Sequence, residues 1–214
     1  MHSVMSTGKQ GTAHRMLNLE SEGSGSPFAD ALIGAVPAAA SAAGVSCIVE
    51  KVGPLASLKF TLAAVDLDVT DAGGSGSSAS LKIFDFVAGA LFPLASRQDY
   101  TLTDETGDTN LISGGVGDAV FQLALGSVAA DAGDGTLTST EVDFAPVSGN
   151  ITNAAGVGAL SATKVGGVGA VIDGTSTAAD LYLNWSGTAT TIDANGVIAI
   201  TGTITLLVLL LGDD

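Results

Sequence analysis

The chain has 214 residues, of which 14% are charged and 29 are Gly, and its formal net charge is −15. That length allows one large β domain or two small ones, and the excess of small side chains predicts thin layers steadied in part by neighbouring subunits. Beyond Arg97, Lys164 is the only base among 14 acids, so the body repels phosphates and anionic lipid, which argues against direct binding of nucleic acid or membrane.

Residues 1–27 carry His2, Lys9, His14 and Arg15 with no acid before Glu20, and end in a Gly-Ser stretch. This composition predicts a flexible, mildly basic arm whose Lys9, Arg15, Leu17 and Leu19 are the candidate contacts with an acidic partner; it suits a frayed terminus equally well. Residues 1–19 lack the continuous apolar core of a secretory signal. Residues 28–57 are rich in Ala but interrupted by Gly34, Pro37 and Gly44, which predicts an irregular segment and a broken turn in place of a helix. Cys47, the only cysteine, excludes an intrachain disulfide and a Cys-based metal cluster, and reads as a small buried hydrophobe.

From residue 58 the pattern changes to period two, the signature of strands. Leu58, Phe60 and Leu62 share one face; after Ala63 and Ala64 the phase slips by one, and Val65, Leu67 and Val69 alternate with Asp66 and Asp68. A slip of that kind predicts a β-bulge. Residues 71–78 read as a Gly-Ser loop, and residues 81–87 as a strand with a second slip near Ile83 and Phe84. Further strands are predicted over residues 119–125, 137–144, 169–172, 180–185 and 197–210, each bounded by turn residues. In the last of these, Ile198, Ile200, Ile204 and Leu206 alternate with Thr, and Gly202 predicts a bend or a close backbone approach. From Leu206 both faces are apolar, which marks Leu206, Leu207, Leu209 and Leu211 as candidate inter-subunit contacts; the run is too short to span a bilayer.

Catalysis needs a base, an orienting group and a nucleophile in one pocket, yet both histidines fall in the predicted arm and no Walker, HExxH or GxSxG motif is present. The glycine-rich stretches at residues 114–117 and 166–169 read as turns. Acid pairs are too numerous for spacing to select a glycosidase pair, and no enzyme activity or cofactor is predicted. Calcium is the only metal that the ligand types suit, with loops at Asp66, Asp68 and Asp71 and at Asp131 and Asp134; solvated turn acids are the preferred reading. Asn150 and Asn184 begin glycosylation sequons but read as strand-edge polar residues. The strand face shared by Leu181, Leu183 and Trp185 places Trp185 in the core in preference to a sugar-binding platform with Tyr182.

The stretch Ala162-Thr-Lys-Val-Gly-Gly-Val-Gly-Ala-Val-Ile-Asp-Gly-Thr, the final strand, and upstream Asp-Val-Thr-Asp-Ala-Gly, Lys-Ile-Phe-Asp-Phe and Leu-Thr-Ser-Thr-Glu-Val-Asp together carry a pattern over residues 58–214. It resembles that of capsid decoration or cement proteins of marine and cyanobacterial tailed phages. The ending in Leu-Leu-Val-Leu-Leu-Leu-Gly-Asp-Asp departs from that pattern. The strand pattern predicts an all-β, antiparallel, jelly-roll-like sandwich (58–214) behind the N-terminal arm (1–27) and the irregular segment (28–57), and a β-sandwich is also what the resemblance implies. The resemblance further implies a virion location on the outer capsid surface, the phage major capsid protein as partner, and a homo-oligomer, with a trimer favoured. A head-fibre or tail-associated module binding host-surface carbohydrate is the alternative.

Overall fold

The computed structural model of the chain describes residues 33–71, 76–107, 111, 120–131, 135–148, 157–165, 171–188 and 194–212. Nine antiparallel strands dominate it: β1 (Val45–Val52), β2 (Leu55–Asp71), β3 (Ser77–Asp85), β4 (Ala90–Gly107), β5 (Val120–Gly126), β6 (Ala145–Ser148), β7 (Val157–Val165), β8 (Asp180–Thr188) and β9 (Gly196–Gly212). The predicted arm, residues 1–27, lies outside the described residues.

Their pairing follows one rule. β2 pairs with β9, β3 with β8, β4 with β7 and β5 with β6, as in a long four-step hairpin. Rolling that ribbon adds the contacts β4 with β9 and β5 with β8. One wing therefore has the order β2-β9-β4-β7 and the other β3-β8-β5-β6, the arrangement of a jelly roll, with β1 added beside β2. The wings are continuous only through Thr70 and Asp71, which face Ser78 and Ser77, so the sheet curls as a half-barrel. At the far side β6 approaches β7 without pairing.

Strand β2 shows why the sheet can curl. Two residues, Ala63 and Ala64, sit opposite the single residue Thr201, and the register shifts between Leu62 and Val65. This bulge turns Val65, Leu67 and Val69 to the same buried face as Leu58, Phe60 and Leu62. Ala64 takes the left-handed conformation, with φ 53°, and its N–H donates to Thr201 Oγ1 at 3.3 Å. A second bulge, between Lys82 and Phe84, brings Ile83 and Phe84 both into the core. Gly202 fulfils its predicted role: a Cβ there would lie 2.1 Å from the Asp99 carbonyl oxygen on β4. The core is linked between the wings by aromatic rings, Phe60 to Phe84 at 5.6 Å, Phe84 to Phe86 at 5.0 Å and Phe86 stacked on Phe144 at 5.4 Å.

Several expectations are corrected. Residues 28–57 are not irregular throughout: Pro37 starts a short helix, α1 (Ala38–Ala42), and β1 follows. Pro37 is harmless at the N-cap, where its missing N–H interrupts no helical bond. The loop at 71–78 is shorter than expected, because β3 begins at Ser77 and Ser77 and Ser78 are buried. Residues 137–144 do not form a strand. Thr138 and Glu141 make a capping box around a 3-10 turn, Ser139–Glu141, and this local bonding overrides the apolar alternation. Of residues 169–172, Ile172 makes an isolated bridge to Leu91.

Replacing Ala64 by Gly relieves a left-handed residue, for which an L side chain costs about 1–2 kcal/mol. Thermal unfolding of Ala64→Gly is expected to shift up by about 2–4 °C, and that of Ala64→Val down, because a β-branched side chain fits φ 53° least. A higher midpoint for Ala64→Val would contradict the bulge geometry.

Candidate interaction surface

The two outer faces of the jelly roll differ. On the β3-β8-β5 wing, the chain covers itself. Asn184, fully buried on β8, donates through Nδ2 to the Val128 carbonyl at 2.8 Å and the Glu141 carbonyl at 3.0 Å. Its Oδ1 accepts from Ser80 Oγ at 2.7 Å and the Ala130 N–H at 3.2 Å. Glu141 accepts from the Thr138 N–H at 2.7 Å and the Asp131 N–H at 3.1 Å. Asp143 accepts from the Ser127 N–H at 2.7 Å and hydroxyl at 2.6 Å, while burial pushes its carboxyl above the ordinary carboxylate range. Gly126 lets this turn pack, since a Cβ there would lie 2.3 Å from the Glu141 backbone. Both polar groups of the Asn184 side chain are thus engaged in holding Val128, Ala130 and Glu141 against the sheet, and its sequon is inaccessible to a glycan.

The outer face of the other wing has no such cover among the described residues. Pairing places Val52, Leu55, Leu209 and Phe92 in one row across β1, β2, β9 and β4. Val52 is 80% exposed, and Leu55, Leu209 and Phe92 are half-buried. The next row holds Glu50, Ser57, Leu207 and Ala95, and beyond it come Ile48, Lys59, Thr205 and Arg97. Ile48 is 64% exposed and Leu211, past the apolar row, 45%. Charges on this face alternate in sign: Lys59 and Arg97 lie near Glu50 and Asp99, and Arg97 Nε donates to Asp99 Oδ2 at 2.8 Å. Farther along β2, Asp66 and Asp68 are exposed. The face therefore grades from an apolar end, through a balanced band, to an acidic end.

Of the four predicted inter-subunit residues, Leu206 belongs to this chain's own core and is fully buried, because its side chain points inward beside Ile204 and Val208. Leu207, Leu209 and Leu211 point outward and contribute to the apolar end. Lys9, Arg15, Leu17 and Leu19, Asn150, Asp134 and both glycine-rich stretches lie outside the described residues. The sequence reading missed Val52, Leu55 and Phe92; the exposed Val52 and half-buried Leu55 flanking Gly53 and Pro54 were the available signal.

Lys82 Nζ lies 2.8 Å from Asp85 Oδ1 and 3.6 Å from Asp180 Oδ2, a partly exposed ion-pair cluster on β3 and β8. Among the described residues, no three His, Cys, Asp or Glu side chains are placed to hold a metal ion. Asp66 and Asp68 project from a continuous strand instead of enclosing a loop, and Asp71 donates its N–H to Asn195 Oδ1 at 2.9 Å. Trp185 is fully buried, so it offers no platform for a sugar. Tyr182 is half-buried and donates to Asp180 Oδ2 at 3.1 Å; burial, then that carboxylate, raises its phenol. Cys47 is half-buried, and burial pushes its thiol up to about 12, which leaves it unreactive at neutral pH. Tyr100 is buried, donates to Gln98 Oε1 at 2.9 Å, and has its phenol raised first by burial and then by Asp99. Among the described residues no helix is long and apolar enough to cross a membrane. Compared with protein-family models, curated proteins and solved structures, the chain matches none.

Asn184→Ala strands buried partners at both ends of its bonds and is expected to cost about 2–4 kcal/mol in urea unfolding, with residues 127–131 and 135–144 exchanging amide protons faster. Asp143 has a raised carboxyl pKa in the fold, so its contribution is fully present below the unfolded value and is lost as pH rises through the folded one. Asp143→Asn should therefore become more stable relative to the parent on going from pH 3 to pH 7. Parallel curves would show that Asp143 titrates alike in both states.

Proposed function

We propose that the chain is a non-catalytic structural protein of a virion, bound to the outer surface of a tailed-phage capsid, where it braces the lattice of major capsid protein. The observation that carries this reading is the apolar end of the open sheet face, Val52, Leu55, Phe92, Leu207, Leu209 and Leu211, on a wing whose counterpart is covered by the chain itself. An exposed apolar row rimmed by balanced charge is a protein-binding surface in character. The basic residues Lys9 and Arg15 supply a second contact for an acidic lattice, and weak contacts repeated over a lattice add to firm attachment. Jelly rolls serve both capsids and lectins, so the fold alone does not choose between them. The burial of Trp185 removes the aromatic platform on which the carbohydrate-binding alternative relied.

The test is re-attachment. Particles stripped of this protein should release DNA at a lower temperature, and adding the purified chain should restore the higher one. Deleting residues 1–26, or introducing Val52→Glu together with Leu211→Glu, should weaken attachment at least about tenfold while leaving the folded chain intact, since both side chains are exposed. Failure of the parent to bind stripped particles, together with robust binding to host cells or glycans, would overturn the proposal.

A further inference from the structure

Strand β1 is an edge of the jelly roll that the ribbon does not use. β6 and β7 approach each other, and β3, the edge of its own wing, meets β2 at Ser77 and Ser78 and Ala35 at Asp85, whereas β1 pairs with β2 on one side and, among the described residues, with no strand on the other. In an antiparallel edge strand every second residue turns its N–H and C=O away from the partner strand, so the outer side of β1 is a template for another strand, and proteins usually blunt such edges with charge or cover. Here Ile48 projects from the middle of the edge 64% exposed. We infer that the occupant is a second copy of this chain, paired antiparallel through β1 about a two-fold axis at Ile48.

The register follows from symmetry and chemistry. A two-fold axis normal to the sheet keeps each face on its own side, so a residue can meet only residues of its own parity. Four centres are then available. Centring on Glu50 sets two carboxylates face to face; centring on Val49 puts Glu50 against Ile48 and Lys51 against Cys47. Centring on Cys47 leaves Glu50, Lys51 and Val52 without partners. Centring on Ile48 sets Ile48 against its own copy on the outer face and Cys47 against Val49 on the core side, with Val45 meeting Lys51 at either end. It also places each Ser46 hydroxyl opposite a Glu50 carboxylate, a complementary donor and acceptor made twice.

Charge agrees with this choice. Two copies of a chain carrying −15 repel across most of their surfaces, yet the face that β1 extends carries Lys59 and Arg97 beside Glu50 and Asp99 and is balanced there. The acids Asp66 and Asp68 lie past the bulge, beyond the length of β2 that β1 covers. The joined sheets would leave the apolar row from Val52 to Phe92 at opposite ends of one continuous surface. The symmetry is that of a dimer, in contrast to the trimer that the family resemblance implies, and it stands whether or not the chain decorates a lattice.

Sedimentation of the full chain tests the state. A dimer is expected at tens of micromolar, and Ile48→Lys should weaken it at least about tenfold by setting two like charges on the axis, with the far-UV circular dichroism of the folded chain unchanged. Mild oxidation tests the register. In a Cys47→Ser background, Ile48→Cys should give a disulfide-linked dimer and Val52→Cys should not. A monomeric parent chain, which would mean that residues 1–32 or nothing at all occupies the edge, overturns the inference. So does an oligomer indifferent to Ile48→Lys, or cross-linking through residue 52 but not 48.

Discussion

The fold depends on strand β2 pairing along one edge with β9 and along the other first with β1 and then, at Thr70 and Asp71, with β3. A strand in that position must present one apolar face over its whole length while bending from one wing into the next. Without the bulge at Ala63 and Ala64, Val65, Leu67 and Val69 would face solvent and Asp66 and Asp68 the core. Burying two carboxylates without partners would cost several kcal/mol each, more than the left-handed conformation of Ala64 costs. The bulge is therefore the cheaper solution, and the aromatic series from Phe60 to Phe144 assembles on the face that it preserves.

The jelly roll is built from two wings of similar pairing but opposite dress. Asn184, Glu141 and Asp143 fasten residues 127–131 and 135–144 over one outer face by hydrogen bonds to backbone, so the chain covers that face itself. The other face keeps Leu207, Leu209, Phe92 and Val52 at its surface. An unequal pair of faces gives the molecule two different sides, which suits the proposed attachment to a lattice. Among the described acids, Asp66 and Asp68 lie on an exposed strand face, Asp85 and Asp180 meet Lys82, and Glu141 and Asp143 fasten the chain's own turn.

Much of this was legible in the sequence where one face is apolar and the other polar. The final strand, the bulge in β2, the slip at Ile83 and the inward direction of Trp185 all follow from period two. β4 was not legible, because its core-facing positions include Ser96, Gln98 and Tyr100 and its start holds Pro93 beside a register shift. β1 was missed because apolar side chains lie on both of its faces, Ile48 and Val52 outward and Val45 and Val49 inward. The capping box at Thr138 imitates a strand in composition while closing a turn. The apolar row was not legible as a site, since its members come from four strands and meet only through pairing.

The most direct test of the proposed structural role is to image purified tailed-phage particles that carry this chain and fit the jelly roll into the density. Density for it is expected outside the capsid shell, with the face bearing Val52, Leu209 and Phe92 turned toward the major capsid protein. Density confined to the tail, or a jelly roll docked with the face bearing Val128, Ala130 and Glu141 against the shell, would contradict the proposed role.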